Sequence, residues 1–124
     1  MASTTTGTIT ALGGKLITDF EANSTRSNNV TSASSGSFYL VEVDNTANAQ
    51  TFAYLRIKDA ASAPQAADLV PTWMFVAPPG TKTCYAFPDG QEYSVGLTCW
   101  CTSSTAKQNT TDPANAVIVR IVSS

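Results

Sequence analysis

Apolar and polar residues alternate most regularly between Phe38 and Asp59. Tyr39, Val41 and Val43 alternate with Leu40, Glu42 and Asp44, and farther on Ala53, Leu55 and Ile57 alternate with Tyr54, Arg56 and Lys58. A period of two is the signature of a strand, whose successive side chains point to opposite faces. Placing Arg56 and Lys58 in water turns Leu55 and Ile57 inward, and a slip of one residue would invert that choice. Between the two runs, Asp44-Asn45-Thr46-Ala47-Asn48 carries side chains that hydrogen-bond their own backbone in turns. The stretch is therefore expected to be two antiparallel strands joined by a polar turn, with the rest of the chain packed on them.

The remaining pattern adds strands and no helix. Thr72-Trp73-Met74-Phe75-Val76-Ala77 is apolar on both faces, with Trp73 and Phe75 on one side and Met74 and Val76 on the other. Such a strand is covered on both sides, either within its own fold or by a partner that its aromatic residues meet. Pro78-Pro79-Gly80 ends it, because proline donates nothing to a ladder and Gly80 permits positive φ. Thr83 to Phe87 reads as a short strand stopped by Pro88-Asp89-Gly90. Glu92 to Cys101 sets Val95, Leu97, Cys99 and Cys101 on one face and Gly96, Thr98 and Trp100 on the other, which makes Trp100 a candidate contact residue on the less buried side. In a last strand Val117, Val119 and Ile121 point in and Arg120 points out. Six or seven short strands with frequent turn signals describe an all-β chain, an antiparallel β-sandwich of the Ig-like or jelly-roll kind, with an extended N-terminal arm.

The arm carries a sparse apolar pattern, Ile9, Leu12, Leu16, Ile17 and Phe20, interrupted by Gly7, Gly13 and Gly14. Short extended pieces at 7–12 and 15–20 fit it better than a helix. From 22 to 37, eleven of sixteen residues are Ser, Thr or Asn, the composition of a flexible linker. The chain thus divides into an arm and linker over 1–37 and a sandwich over 38–124. An arm of this kind is held by other chains, or else folds back as an edge strand of its own domain. Covering Ile9, Leu12, Leu16 or Phe20 in an interface contributes about 1.5 to 3 kcal/mol each. On the first alternative, deleting residues 2–21 leaves the soluble fold intact and abolishes attachment.

Composition narrows the function classes. With 124 residues the chain suits one domain. Charged residues make up 13%, the net charge is −2, and Ser and Thr together are a quarter of the chain, an unusual surface for a protein that relies on charge for solubility. Such a surface is often covered by neighbours. Seven Lys and Arg, spread from Lys15 to Arg120, form no basic patch, so direct nucleic-acid binding and membrane-surface binding are not expected. Met1 to Thr6 lacks the basic start and apolar core of a targeting segment, and Trp73 to Ala77 is too short to span a bilayer, so synthesis in a cytoplasm is expected.

Catalytic chemistry finds little purchase. The chain has no His, which removes Ser-His-acid and Cys-His arrangements, and no Ser-x-x-Lys pattern occurs. Glu42 and Asp44 read as ordinary solvated carboxylates rather than a hydrolytic pair. Leu12-Gly13-Gly14-Lys15 lacks the spacing of a phosphate loop. No enzyme activity, cofactor or metal is expected. Cys84, Cys99 and Cys101 match no zinc or redox spacing and read as buried thiols, although Cys84 could pair with one of the others. Asp44, Asn45 and Asn48 offer oxygen ligands of the kind calcium takes, against the plainer reading that they cap their own turn. Asn-x-Ser/Thr triplets at Asn23, Asn29 and Asn109 arise by chance in a chain so rich in Ser and Thr.

The order Phe-Tyr-Leu-Val-Glu-Val-Asp-Asn-Thr at 38–46, Tyr54-Leu55-Arg56-Ile57-Lys58-Asp59, the Pro78-Pro79-Gly80 turn, Phe87-Pro88-Asp89-Gly90 and the closing Asn115-Ala-Val-Ile-Val-Arg-Ile strand resembles small β-sandwich virion proteins of tailed bacteriophages, over about 80 of the 124 residues. The resemblance implies a capsid cement, or decoration, protein on the outer face of a phage head shell. Such proteins clamp neighbouring capsomers, so the implied partners are the major capsid protein and, in a homotrimer, further copies of the same chain. Ile9, Leu12, Leu16, Ile17, Phe20, Trp73, Phe75 and Trp100 are then the candidate interface residues. An alternative of another class is a carbohydrate-binding adhesin in which Tyr54, Trp73 or Trp100 stacks on sugar rings. A tail or neck structural module is a third.

Overall fold

The computed structural model describes residues 3–6, 14–31, 35–65, 69–104 and 111–124. Eight strands account for the described secondary structure: β1 Ser3–Thr6, β2 Lys15–Ala22, β3 Gly36–Asp44, β4 Ala53–Asp59, β5 Trp73–Ala77, β6 Lys82–Tyr93, β7 Leu97–Thr102 and β8 Val117–Ser123. They form two sheets, one ordered β1-β2-β8-β3-β6 and the other β5-β4-β7, with every pairing antiparallel. The sheets pack face to face, so the expected antiparallel β-sandwich is what the chain forms. Among the described residues no helix is long and apolar enough to cross a membrane.

Alternation builds the core. Ile17, Ile121 and Val41 lie side by side on the inner face of the larger sheet, and Val119 pairs with Val43. Leu55, Ile57, Phe75, Leu97, Cys99 and Cys101 face them from the smaller sheet. At one side the core is aromatic: the Phe38 ring meets Trp73, Phe75 and Phe87 edge-on, with centroids 5.1, 6.3 and 5.4 Å away. Edge-to-face contacts of this kind favour rings whose faces and edges carry opposite partial charge.

Three expectations are corrected. First, β3 and β4 do not form a hairpin, because β3 belongs to the larger sheet and β4 to the smaller. The connection between them is a corner held from inside by Asn45 and Asn48, whereas a hairpin would have kept both strands in one ladder. Second, β2, assigned above to the arm, is an internal strand of the larger sheet, bonded to β8 from Lys15↔Ser123 through Asp19↔Val119. The proposed 7–12 piece falls outside the described residues. Third, Pro88-Asp89-Gly90 does not stop a strand. β6 runs through it, with a register shift opposite Tyr39 that takes up the extra residues as a bulge, where Gly90 adopts φ +81.

The polar stretch after β2 is also structured. Asn23 to Val30 runs along the open edge of β7: Cys101 N–H donates to Asn23 O at 2.7 Å, Ser27 N–H to Cys99 O at 3.0 Å and Val30 N–H to Leu97 O at 2.8 Å. Side chains complete the ladder, with Cys99 N–H donating to Ser27 Oγ at 2.9 Å and Leu97 N–H to Asn29 Oδ1 at 3.1 Å. Asn and Ser, which composition marks as linker residues, here supply the acceptors that a sheet edge needs.

Candidate interaction surface

The outer face of the smaller sheet is built by β4 and β5. Phe75 points inward and is buried, so its neighbours Met74 and Val76 point out, where Met74 is 44% exposed. Tyr54 sits directly opposite Val76. Two residues earlier, Phe52 lies on the same face, 45% exposed, with its ring stacked on Tyr54 at 6.1 Å between centroids and 16° between planes. The four side chains make a contiguous apolar patch. Its backbone edge is partly closed, since Tyr85 Oη donates to Val76 O at 2.6 Å.

The same sheet face changes character toward β7. Arg56 pairs across to Trp100, and both are buried, at 1% and 0% exposure. Just beyond β7 the Ser104 carbonyl accepts from Arg56 Nη2 at 2.6 Å. Trp100 is therefore not a contact residue and cannot stack on a sugar, and Arg56 is not in water. Alternation placed both on the correct face; it carried no information on what covers that face.

The other sequence candidates distribute as follows. Ile17 and Phe75 are core residues, at 2% and 6% exposure, and are corrected from interface to interior. Trp73 is half-buried against Phe38, Leu16 is half-buried, and Phe20 is 57% exposed. Ile9 and Leu12 lie outside the described residues. Phe52 was missed because it precedes its strand, although its i, i+2 spacing to Tyr54 was the available signal.

The polar candidates are accounted for by structure. Asn45 Nδ2 donates to Thr51 O, Ala77 O and Pro78 O at 2.8, 3.2 and 3.2 Å. Asn48 Nδ2 donates to Asn45 Oδ1 at 2.9 Å and to Asn115 O at 3.0 Å, while its Oδ1 accepts Asn115 N–H at 2.8 Å. Asp44 Oδ1 accepts the Thr46 hydroxyl at 2.6 Å, and that bond holds the carboxyl below its usual range. These groups cap and clamp their turn, which is the plainer of the two readings. Among the described residues no group of three His, Cys, Asp or Glu could hold a metal ion.

Cys99 and Cys101 are buried free thiols, as expected, and burial pushes each up to about 12. Cys84 is corrected from buried to exposed, because it points out from β6, where it donates to Glu42 Oε2 at 3.6 Å. A depression of about 420 Å³ is lined by Ser24, Thr25, Arg26, Ala63, Pro64 and Gln65, with Arg26 Nε donating to Pro64 O at 3.1 Å. It is polar and open, unlike the enclosed apolar pockets that hold small ligands. Comparison of the chain with protein-family models, curated proteins and solved structures finds no match.

Proposed function

We propose that this chain is a structural virion protein, a decoration protein that binds the outer face of a phage head shell and clamps neighbouring capsomers. The observation that carries the reading is the patch of Phe52, Tyr54, Met74 and Val76 on a sandwich with a low-charge, Ser/Thr-rich surface. Aromatic residues and Met are the types enriched where proteins meet, and one such patch per copy, repeated over a symmetric shell, gains avidity without a single strong site. The resemblance of the 38–46, 54–59, 78–80, 87–90 and 115–121 segments to phage sandwich proteins points the same way.

The test is addition of purified protein to intact heads that lack it, with bound copies counted by imaging and by gel densitometry. Saturable, stoichiometric binding is expected, with affinity reduced at least tenfold in Phe52→Ser/Met74→Ser. Absence of binding, or undiminished binding by the double variant, sinks the reading. A second reading rests on the stacked Phe52–Tyr54 pair: ring faces of this kind also suit sugars. Specific signal in a glycan screen that disappears on Tyr54→Ala, together with no binding to heads, would replace the decoration reading with an adhesin.

A further inference from the structure

The direction of each backbone amide on the smaller sheet follows from the edge of β7. Leu97, Cys99 and Cys101 bond to Asn23, Ser27, Asn29 and Val30, so their N–H and C=O groups point away from β4. Along an antiparallel strand these groups alternate sides, so Thr98, Trp100 and Thr102 bond to their β4 partners Lys58, Arg56 and Tyr54. Ala53, Leu55 and Ile57 then point the other way, to Ala77, Phe75 and Trp73 of β5. That leaves the amides of Met74 and Val76 directed out of the sheet at its β5 edge. Val76 O accepts the Tyr85 hydroxyl there, as this direction requires. Among the described residues no partner takes Met74 N–H, Met74 O or Val76 N–H.

Among the described strands the two sheets have four edges, and they differ in how they are protected. β7 is covered by Asn23 to Val30. β6 is blunted by Lys82, Pro88 and its bulge, devices that keep an edge from pairing. β1 consists of Ser and Thr only. β5, Trp-Met-Phe-Val-Ala, has neither charge nor proline, and the two residues whose amides are open, Met74 and Val76, also carry side chains of the apolar patch. Beside it the rings of Tyr85 and Phe87 lie 5.0 and 6.0 Å from that of Phe75 and, with Trp73, are only partly buried. A strand laid along β5 at about 4.8 Å sets alternate side chains against the patch and against these rings.

We propose that the attachment surface takes its partner by strand addition: an extended, uncharged segment of the partner protein, apolar at alternate positions, pairs with the free edge of β5. Such pairing presupposes the proposed attachment through the same patch and adds how the partner is held. The open groups name the chemistry of the occupant, because outward N–H and C=O groups at strand spacing are answered by another extended backbone. Main-chain bonds then supply affinity, and the alternate side chains supply specificity. No charged side chain belongs to the patch or to the three partly buried rings, so an acidic or basic residue entering there would lose water without gaining a counter-ion. The Tyr85 hydroxyl occupies the Val76 carbonyl that a longer pairing would use, and it is displaced when the strand extends that far.

Met74→Pro tests it, because proline removes the outward N–H and is tolerated on an edge strand where that N–H faces solvent. Parent and variants are added to heads that lack the protein, and bound copies are counted. Met74→Pro is expected to bind at least tenfold more weakly than Met74→Val, which keeps the N–H. Tyr85→Phe, which frees Val76 O, should bind at least threefold more tightly than the parent. Hydrogen exchange on the unaltered chain gives a readout that depends on no variant folding: the Met74 and Val76 amides should exchange quickly in free protein and slowly on heads. Equal binding by Met74→Pro and Met74→Val, no gain with Tyr85→Phe, or amides that stay fast on heads each overturn strand addition and leave the proposed attachment in place. Failure of the parent to bind heads overturns both.

Discussion

Arg56 donates through Nε to the Thr102 hydroxyl at 3.1 Å across the β4–β7 pair, and both side chains are buried. Burial lowers the Arg56 pKa, but arginine starts high enough to stay charged. The guanidinium therefore joins β4, β7 and the chain at Ser104 into one unit. Truncating it removes the bonds to Thr102 and Ser104 and leaves a cavity beside Trp100. Arg56→Ala is expected to cost about 3 to 5 kcal/mol, and Arg56→Met, which keeps the volume, clearly less. Urea unfolding measures both. An Ala variant within about 0.5 kcal/mol of the parent would show that the guanidinium holds nothing together.

Arg56 also marks where sequence stops being informative. Parity was legible: Leu55, Ile57, Val117, Val119 and Ile121 all face the core as alternation requires. Coverage was not, since Arg56 and Trp100 share an outward face and are nonetheless buried. Pairing was not legible either, because a strand's pattern names its buried side and not its neighbour, which is why β3 and β4 looked like a hairpin. Asn23 to Val30 reads as linker because its bonds to β7 depend on a strand some seventy positions away. On the candidate surface, Met74 and Val76 could be foreseen from the doubly apolar strand, whereas Phe52 lay in the loop before β4.

The position of β2 changes what an N-terminal deletion does. Residues 2–13 include β1 at the sheet edge, while residues 15–21 belong to a strand that hydrogen-bonds β8 and places Ile17 in the core. Removing 2–13 is expected to preserve a cooperative thermal transition, lowered in temperature. Removing 2–21 should abolish it, since β8 would lose its partner and the inner face its Ile17. This reverses the expectation of an intact fold drawn from composition. Calorimetry of the two deletions checks it, and a cooperative transition in the longer deletion would return β2 to the role of a dispensable arm.

The three thiols should separate cleanly by reactivity. Cys84 is exposed, and its pKa is raised by desolvation and then by the Glu42 carboxylate, so it labels slowly and faster as pH rises. Native protein is expected to titrate one thiol with an aromatic disulfide reagent and unfolded protein three. Glu42→Gln should speed the native reaction. Cys99 and Cys101, raised by burial from 9.0 to about 12, bind protons in the folded chain that the unfolded chain releases in that interval. Their contribution to stability is complete below pH 9 and lost as pH climbs toward 12, about 1.4 kcal/mol per thiol by pH 10. Cys99→Ala should flatten that alkaline slope, and an unchanged slope would mean that other groups set it.

Asn45 and Asn48 form the corner that carries the chain from one sheet to the other, and their amide orientation leads to a final prediction. Asn45 directs its NH₂ at three carbonyl oxygens, from Thr51, Ala77 and Pro78. Asn45→Ala loses those bonds and leaves the carbonyls short of donors, at a cost of about 2 to 3 kcal/mol. Asn45→Asp is worse, because it faces a carboxylate with the same oxygens and with no donor at neutral pH. The opposite ranking follows if this turn is a calcium site: an added carboxylate would then strengthen binding, and calcium would raise the melting temperature. Thermal melts of the parent and the two variants, with and without millimolar calcium, separate the cases. The expected order is parent, Ala, Asp, with no calcium response in any of them.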